Sequence, residues 1–142
     1  EQVEALKAGV NDGVAEIDLP GLAPGAYRYQ PDTHALEKIR DGDHRESLAA
    51  AALDQPWVLD GALTIVIAAV YERTTVKYGE RGIRYVHMEA GHAAQNICLQ
   101  AVGLGLGAVT VGAFDDTGVR QVLGLAGDEE PLYVIPVGNP AG

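Results

Sequence analysis

The sequence predicts an α+β domain built on one sheet of about four to six strands, and three observations predict it. Two short apolar runs rich in β-branched residues, residues 63–71 (LTIVIAAVY) and 132–137 (LYVIPV), read as buried strands. Between them, Val86, Ala90, Ala93, Ile97 and Ala101 recur at three- and four-residue steps, the spacing of one helix face. Upstream, two short runs flank Pro31, Asp32 and Thr33, which is turn chemistry inside a hairpin. Strands and helices therefore mix along 142 residues, a length that supports one domain, residues 1–142, with a real core.

Taken in order, residues 1–8 predict a short amphipathic helix with Val3 and Leu6 inward, broken between Gly9 and Gly13. Residues 14–19 alternate loosely and predict a strand, and Pro20, Gly21, Pro24 and Gly25 form a turn. Residues 26–30 predict a strand with Tyr27 and Tyr29 on one face and Arg28 on the other, and residues 34–39 its return. Asp43 can cap a helix, with Glu46 completing a capping box, and the alanines at 49–52 carry that helix to about Leu53. Gln55-Pro56 ends it, and residues 57–62 make one further turn.

After the strand at 63–71, residues 73–84 predict a polar, charged loop. The long helix follows over 85–102. Its small residues Gly91, Ala93, Ala94 and Ala101 allow a second helix to approach closely, so it is expected to be buried on most sides. Gly103, Gly105 and Gly107 stop it, because glycine takes the left-handed conformations that end helices. Residues 108–114 predict a strand. Asp116 or Thr117 caps a helix to Leu123, residues 124–131 form an acidic loop, and residues 138–142 a tail.

A net charge of −10 argues against nucleic acid or an anionic membrane as partner, since both repel an acidic surface. The single cysteine, Cys98, excludes an internal disulfide and reads as a small core residue within the helix. The N-terminus has no basic region followed by an apolar stretch, and the longest apolar run is too short to span a bilayer as a helix. A cytoplasmic protein is expected.

Four motifs together carry a resemblance. GLAPGAYRYQPDTHAL (residues 21–36), RTTVKYGERGIRY (73–85), EAGHAAQN (89–96) and LGLGAVTVGAFDD (104–116) occur in this order. The chain from about residue 20 to 138 resembles the SagB-type, azoline dehydrogenase-like branch of the nitroreductase-like FMN oxidoreductases. The resemblance implies a central mixed or antiparallel sheet flanked by helices, with the long helix buried at the interface of a homodimer. It implies FMN as cofactor, a small-molecule or peptide substrate, and hydride transfer through the flavin. Azoline-to-azole oxidation in a peptide is the branch's chemistry; reduction of nitro or quinone compounds by NAD(P)H is the alternative enzyme activity.

By this resemblance, Lys77 and Tyr78 remove the substrate proton. The chemistry suits them: a desolvated lysine can act as a base and a tyrosine hydroxyl can relay a proton. On the residues alone, the pair reads first as a solvated lysine beside a packing tyrosine, and the resemblance brings the catalytic reading level with it. The resemblance also lays residues 110–113 along the flavin ring, with backbone N–H groups of Gly112 and Ala113 near flavin N5 and Thr110 and Val111 against the ring. A small residue lets backbone approach a planar cofactor, and an N–H donor there tunes it. Without the resemblance, this is an ordinary strand with a bulge at Gly112.

Arg73, Arg81 and Arg84 surround Lys77 and can attract a phosphate or carboxylate, or form salt bridges with Glu72, Glu80 and Glu89. Glu89, His92 and Asn96 share one helix face. Glu-x-x-His recurs in di-iron bundles, but no second copy stands in this chain, so a polar seam between helices is expected and no metal. The Arg-Arg-Ser-type segment that holds the FMN phosphate in the family, and the PSAGALYP-like segment after it, have no counterpart among these residues. The expectation is a domain truncated at its N-terminus relative to the family. It leaves a second function class open: a flavin-free homodimer acting as a scaffold or partner-binding protein.

Overall fold

The computed structural model describes the backbone of residues 2–7 and, in full, residues 21–140. Among the described residues, six strands form one sheet: β1 (Gln2–Lys7), β2 (Gly25–Gln30), β3 (Ala35–Asp41), β4 (Leu63–Ala69), β5 (Gly107–Ala108) and β6 (Glu130–Gly138). Their order is β3-β2-β1-β4-β6-β5, and every neighbouring pair is antiparallel. The helices among the described residues are α1 (Arg45–Ala51), α2 (Pro56–Asp60), α3 (Glu72–Tyr78), α4 (Arg81–Gly103) and α5 (Asp116–Leu123). The α+β expectation and the strand number hold.

Both faces of the central strands β4 and β6 are covered, as their apolar runs require. On one face, Val66, Ala68 and Val134 pack with Leu48 and Ala49 of α1, Val58 of α2, and Val119 and Leu123 of α5. On the other, Ile67, Ile135 and Val137 pack with Ala90, Ala94 and Ala101 of α4. Val66, Ile67, Val134 and Ile135 are fully buried, so alternate residues of each central strand feed opposite cores.

Several expectations need correction. Gln2–Lys7 is a strand, not a helix, seated between β2 and β4, with Glu4 opposite both Arg28 and Val66. Six residues gain little as an isolated helix, whereas β4 pairs along all six and β2 along Glu4–Lys7, which gives their backbone groups hydrogen-bond partners. The strand expected at 14–19 lies outside the described residues. The loop expected at 73–84 is helical: α3, a glycine break at Gly79 with φ 57°, and the first turn of α4. Polarity there marks solvent-facing helix, and Glu, Arg and Lys are good helix formers.

The strand expected at 108–114 shortens to β5 plus a bridge between Val111 and Val134. Val109 N–H still donates to Pro136 carbonyl oxygen at 3.3 Å, but Pro136 has no N–H to return, so the ladder is interrupted. The caps shift by one residue. Asp115 accepts the Thr117 N–H at 3.1 Å and caps α5. Asp43 precedes the α1 cap position, accepting the backbone N–H of Arg45 and pairing with its guanidinium.

Candidate functional site

The site-bearing residues fall in two regions. The first is the corner where α3 meets α4. Gly82 makes the corner: a Cβ there would stand 3.0 Å from Thr75 Cα and N, so only glycine lets the two helices approach this closely. The close approach brings four side chains into one array. Lys77 Nζ lies 5.1 Å from the Tyr78 ring centroid, the Tyr78 and Tyr85 rings meet edge to face at 5.3 Å, and the Arg81 guanidinium lies 5.8 Å from the Tyr85 ring. Cations over aromatic faces gain from the ring quadrupole. Lys77 is exposed and Tyr78 is 47% exposed, so the pair faces solvent from the last turn of a helix.

Arg73, Lys77, Arg81 and Arg84 form no ion pair among the described residues. The alternative of salt bridges to Glu72, Glu80 and Glu89 is not what the structure shows; Glu89 instead approaches His92 Nδ1 at 4.0 Å. A cleft of about 260 Å³ opens at this corner, walled by Arg73, Thr74, Tyr85 and Glu89 and floored by Ala69, Val70 and Val86.

The second region is the edge segment 110–113. Val111 exchanges both backbone hydrogen bonds with Val134 (2.8 and 3.0 Å) and is buried at 4% exposure, its side chain in the core shared with α1 and α5. Thr110, Gly112 and Ala113 on either side are exposed. Among the described residues, no backbone acceptor takes the N–H of Gly112 or Ala113. A Cβ on Gly112 would meet only Tyr133 Cε1, at 4.0 Å. The segment thus offers spare donors on a flat, open surface beside an aromatic ring, which fits the ring of a planar cofactor. No described cation contacts it.

Gln55 holds this segment, and its only local signature is a helix-ending Gln-Pro. Its amide donates to the carbonyl oxygens of Ala52 (2.8 Å) and Ala113 (2.9 Å), tying the end of α1 to the edge segment. A second unforeseen contact is Tyr71 hydroxyl with His87 Nε2 at 2.7 Å. Burial first, then the nearby charges of Glu130 and Asp116, raise the Tyr71 pKa above the usual tyrosine value. Sixteen positions separate this pair, so no local pattern announces it.

Within one chain, no hydrogen bond or ring contact joins Lys77 or Tyr78 to residues 110–113 among the described residues. Glu89, His92 and Asn96 lie on the exposed side of α4, and no group of three metal-ligating side chains exists among the described residues. α4 is buried only along Gly82, Ala90, Ala94 and Ala101, not on most sides. Its outer face carries Tyr85, Met88, Leu99 and Val102 in the open. A separate cleft of about 360 Å³ is lined by Trp57, Asp60, Val109 and Asn139 among others. No helix among the described residues is long and apolar enough to cross a membrane.

The sequence profile of the Nitroreductase family matches residues 19–139. A nitroreductase candidate of Methanocaldococcus jannaschii is 48% identical over 122 residues, which cover 86% of this chain and 61% of that protein. The chain therefore spans about three-fifths of that relative. The crystal structure of a nitroreductase candidate from Anabaena variabilis superposes with a TM-score of 0.87 at 33% identity, over 99% of this chain and 27% of that one. The NADPH:FMN oxidoreductase of Vibrio harveyi, solved with NAD+, superposes with a TM-score of 0.60 at 27% identity, over 70% of this chain and 46% of that one.

Proposed function

The chain belongs to the nitroreductase family, and we propose that it is an FMN-dependent oxidoreductase of the SagB type. The observation that carries the reading is the edge segment. Val111 is locked to Val134, and beside it Gly112 and Ala113 present unspent N–H donors on an open surface. Those donors would meet the flavin ring near N5, with Thr110 against the ring and Val111 fixing the segment from the core side. The likeness to a solved FMN oxidoreductase supports the choice of cofactor.

When bound, FMN supplies a two-electron acceptor for a hydride. Lys77, as the free amine, would take the proton that the oxidised substrate gives up, and the Tyr78 hydroxyl would relay it. Their exposure lets a small molecule or a peptide reach them. A homodimer is part of this reading: the outer face of α4, with Tyr85, Met88, Leu99 and Val102 exposed, suits burial against a second copy. So are a cytoplasmic location and a nitroreductase-like domain. In a dimer, segment 110–113 and the Lys77–Tyr78 pair need not come from the same protomer.

The visible spectrum of the purified protein, before and after excess FMN and desalting, tests the reading. Retained flavin bands are expected, with Lys77→Ala and Tyr78→Phe keeping the bands and losing turnover. No retained flavin after reconstitution would leave the second reading, a flavin-free dimeric scaffold.

A further inference from the structure

We propose that the cleft between α2 and the sheet edge at β5 and β6 binds a small organic cation of the quaternary ammonium class. Its lining carries the argument. α2 supplies Trp57 and Asp60, the segment after β5 supplies Val109, and β6 supplies Pro136 and Val137. Pro136 and Val137 are buried, whereas Trp57 is 48% and Val109 41% exposed. An indole and an aliphatic side chain thus stand open beside an apolar base. The indole is held in place: its Nε1–H donates to Gln55 Oε1 at 3.3 Å, and the Gln55 amide is itself tied to Ala52 and Ala113.

Charge selects the sign of the ligand. Asp60 is the one charged residue of the lining among the described residues, and it forms no hydrogen bond or ion pair among them. No lysine, arginine or histidine occurs in residues 46–72, 93–119 or 121–142, the stretches that build the cleft. A carboxylate without a cation, beside an indole, in a chain of net charge −10, attracts cations and repels anions. Indole is also the best aromatic partner for a cation, and aromatic faces are a known means of holding quaternary ammonium groups. Hydration narrows the class further. A compact ammonium or a divalent metal ion would give up its water for a single carboxylate, and no group of three metal-ligating side chains exists among the described residues. A quaternary ammonium has no N–H to satisfy. Its alkyl groups suit Val109, Pro136 and Val137, and its charge suits Trp57 and Asp60. The volume of about 360 Å³ lies within the range of about 300–1,000 Å³ usual for small-molecule sites.

Val109 precedes Thr110, so the cleft opens beside segment 110–113, but the inference does not depend on flavin and its test reads binding alone. Trp57 is the single tryptophan of the chain, so its emission reports on the cleft directly. Titration with benzyltrimethylammonium is expected to change that emission saturably, with the same affinity by calorimetry. Benzyl alcohol lacks the charge, phenylacetate reverses it and methylammonium lacks the apolar body; each should bind at least about fivefold more weakly. Asp60→Asn should weaken binding of the probe about threefold, through loss of one exposed charge contact, and flatten its dependence on salt. Trp57→Leu, read by calorimetry, should weaken it about fivefold. Circular dichroism verifies that both variants fold. No saturable binding, binding that leaves the Trp57 emission unchanged, any control as tight as the probe, or an unchanged affinity in either variant overturns the proposal.

Discussion

Replacing glycine by alanine at two positions of α4 should give opposite results. At Gly82 the new Cβ would stand 3.0 Å from Thr75 Cα, 3.0 Å from Thr75 N and 3.1 Å from Thr74 C. These are backbone atoms of α3 and cannot rotate aside. To reach ordinary contact the helix must retreat by roughly half an ångström, and such overpacking costs about 1–3 kcal/mol. Alanine's helix preference returns up to about 1 kcal/mol in a helix interior, less in the first turn where Gly82 lies. The net expectation is a loss of about 1–2 kcal/mol.

At Gly91 a Cβ meets nothing within 4 Å and φ is ordinary. Gly91→Ala should therefore stabilise by about 0.5–1 kcal/mol. Urea unfolding followed by circular dichroism, at one protein concentration for both variants, measures the difference. Unchanged slopes would show that stability, and not the surface exposed on unfolding, has changed. Gly82→Ala should also disturb the Tyr78–Tyr85 ring contact, visible as altered ring-current shifts. If Gly82→Ala is as stable as Gly91→Ala, close packing does not set the α3–α4 corner and the reasoning fails.

Three further outcomes follow from the contacts. Gln55→Ala removes the donor to Ala52 and Ala113 carbonyl oxygens; it should cost about 1–2 kcal/mol and speed amide exchange at Gly112 and Ala113. Glu129 is 3% exposed and accepts from Arg28 (2.7 Å) and from Ala126 N–H (2.8 Å). Glu129→Ala should cost about 3 kcal/mol in denaturant unfolding, and Glu129→Gln less, because the amide oxygen still accepts. For Tyr71, the folded state holds the phenol proton above the ordinary tyrosine pKa of 10.0. Its contribution to stability is fully present below pH 10 and is lost as pH rises through the folded value. Unfolding midpoints measured on both sides of that pH should fall more in the parent than in Tyr71→Phe, and equal falls would refute the assignment.

Element type was legible wherever the residues alone decide it. The apolar runs of β4 and β6 demand burial on both faces whatever their partners, and the period of Ala90, Ala94 and Ala101 marks one helix face against any sheet. The four ordered motifs carried the family, because they record residue identities rather than contacts. Helix α3 was misread because exposed helix and polar loop have the same composition when no face is buried. That Arg73, Lys77, Arg81 and Arg84 form no ion pair among the described residues was equally invisible: Glu72, Glu80 and Glu89 are close in sequence, yet the helix surfaces do not bring them into ion-pair distance.

Fold class, the central strands and the family were thus written in the order of residues. Long-range contacts settled the rest. Residues 2–7 join the sheet because a strand of weak pattern is chosen by the open edges beside it. Pro136 cuts the edge ladder and leaves residues 110–113 anchored to β6 by Val111 alone among the described residues. Gln55 holding Ala113 and Tyr71 meeting His87 are of the same kind. Each depends on groups far apart in the chain arriving within hydrogen-bond range, and no local spacing encodes that distance.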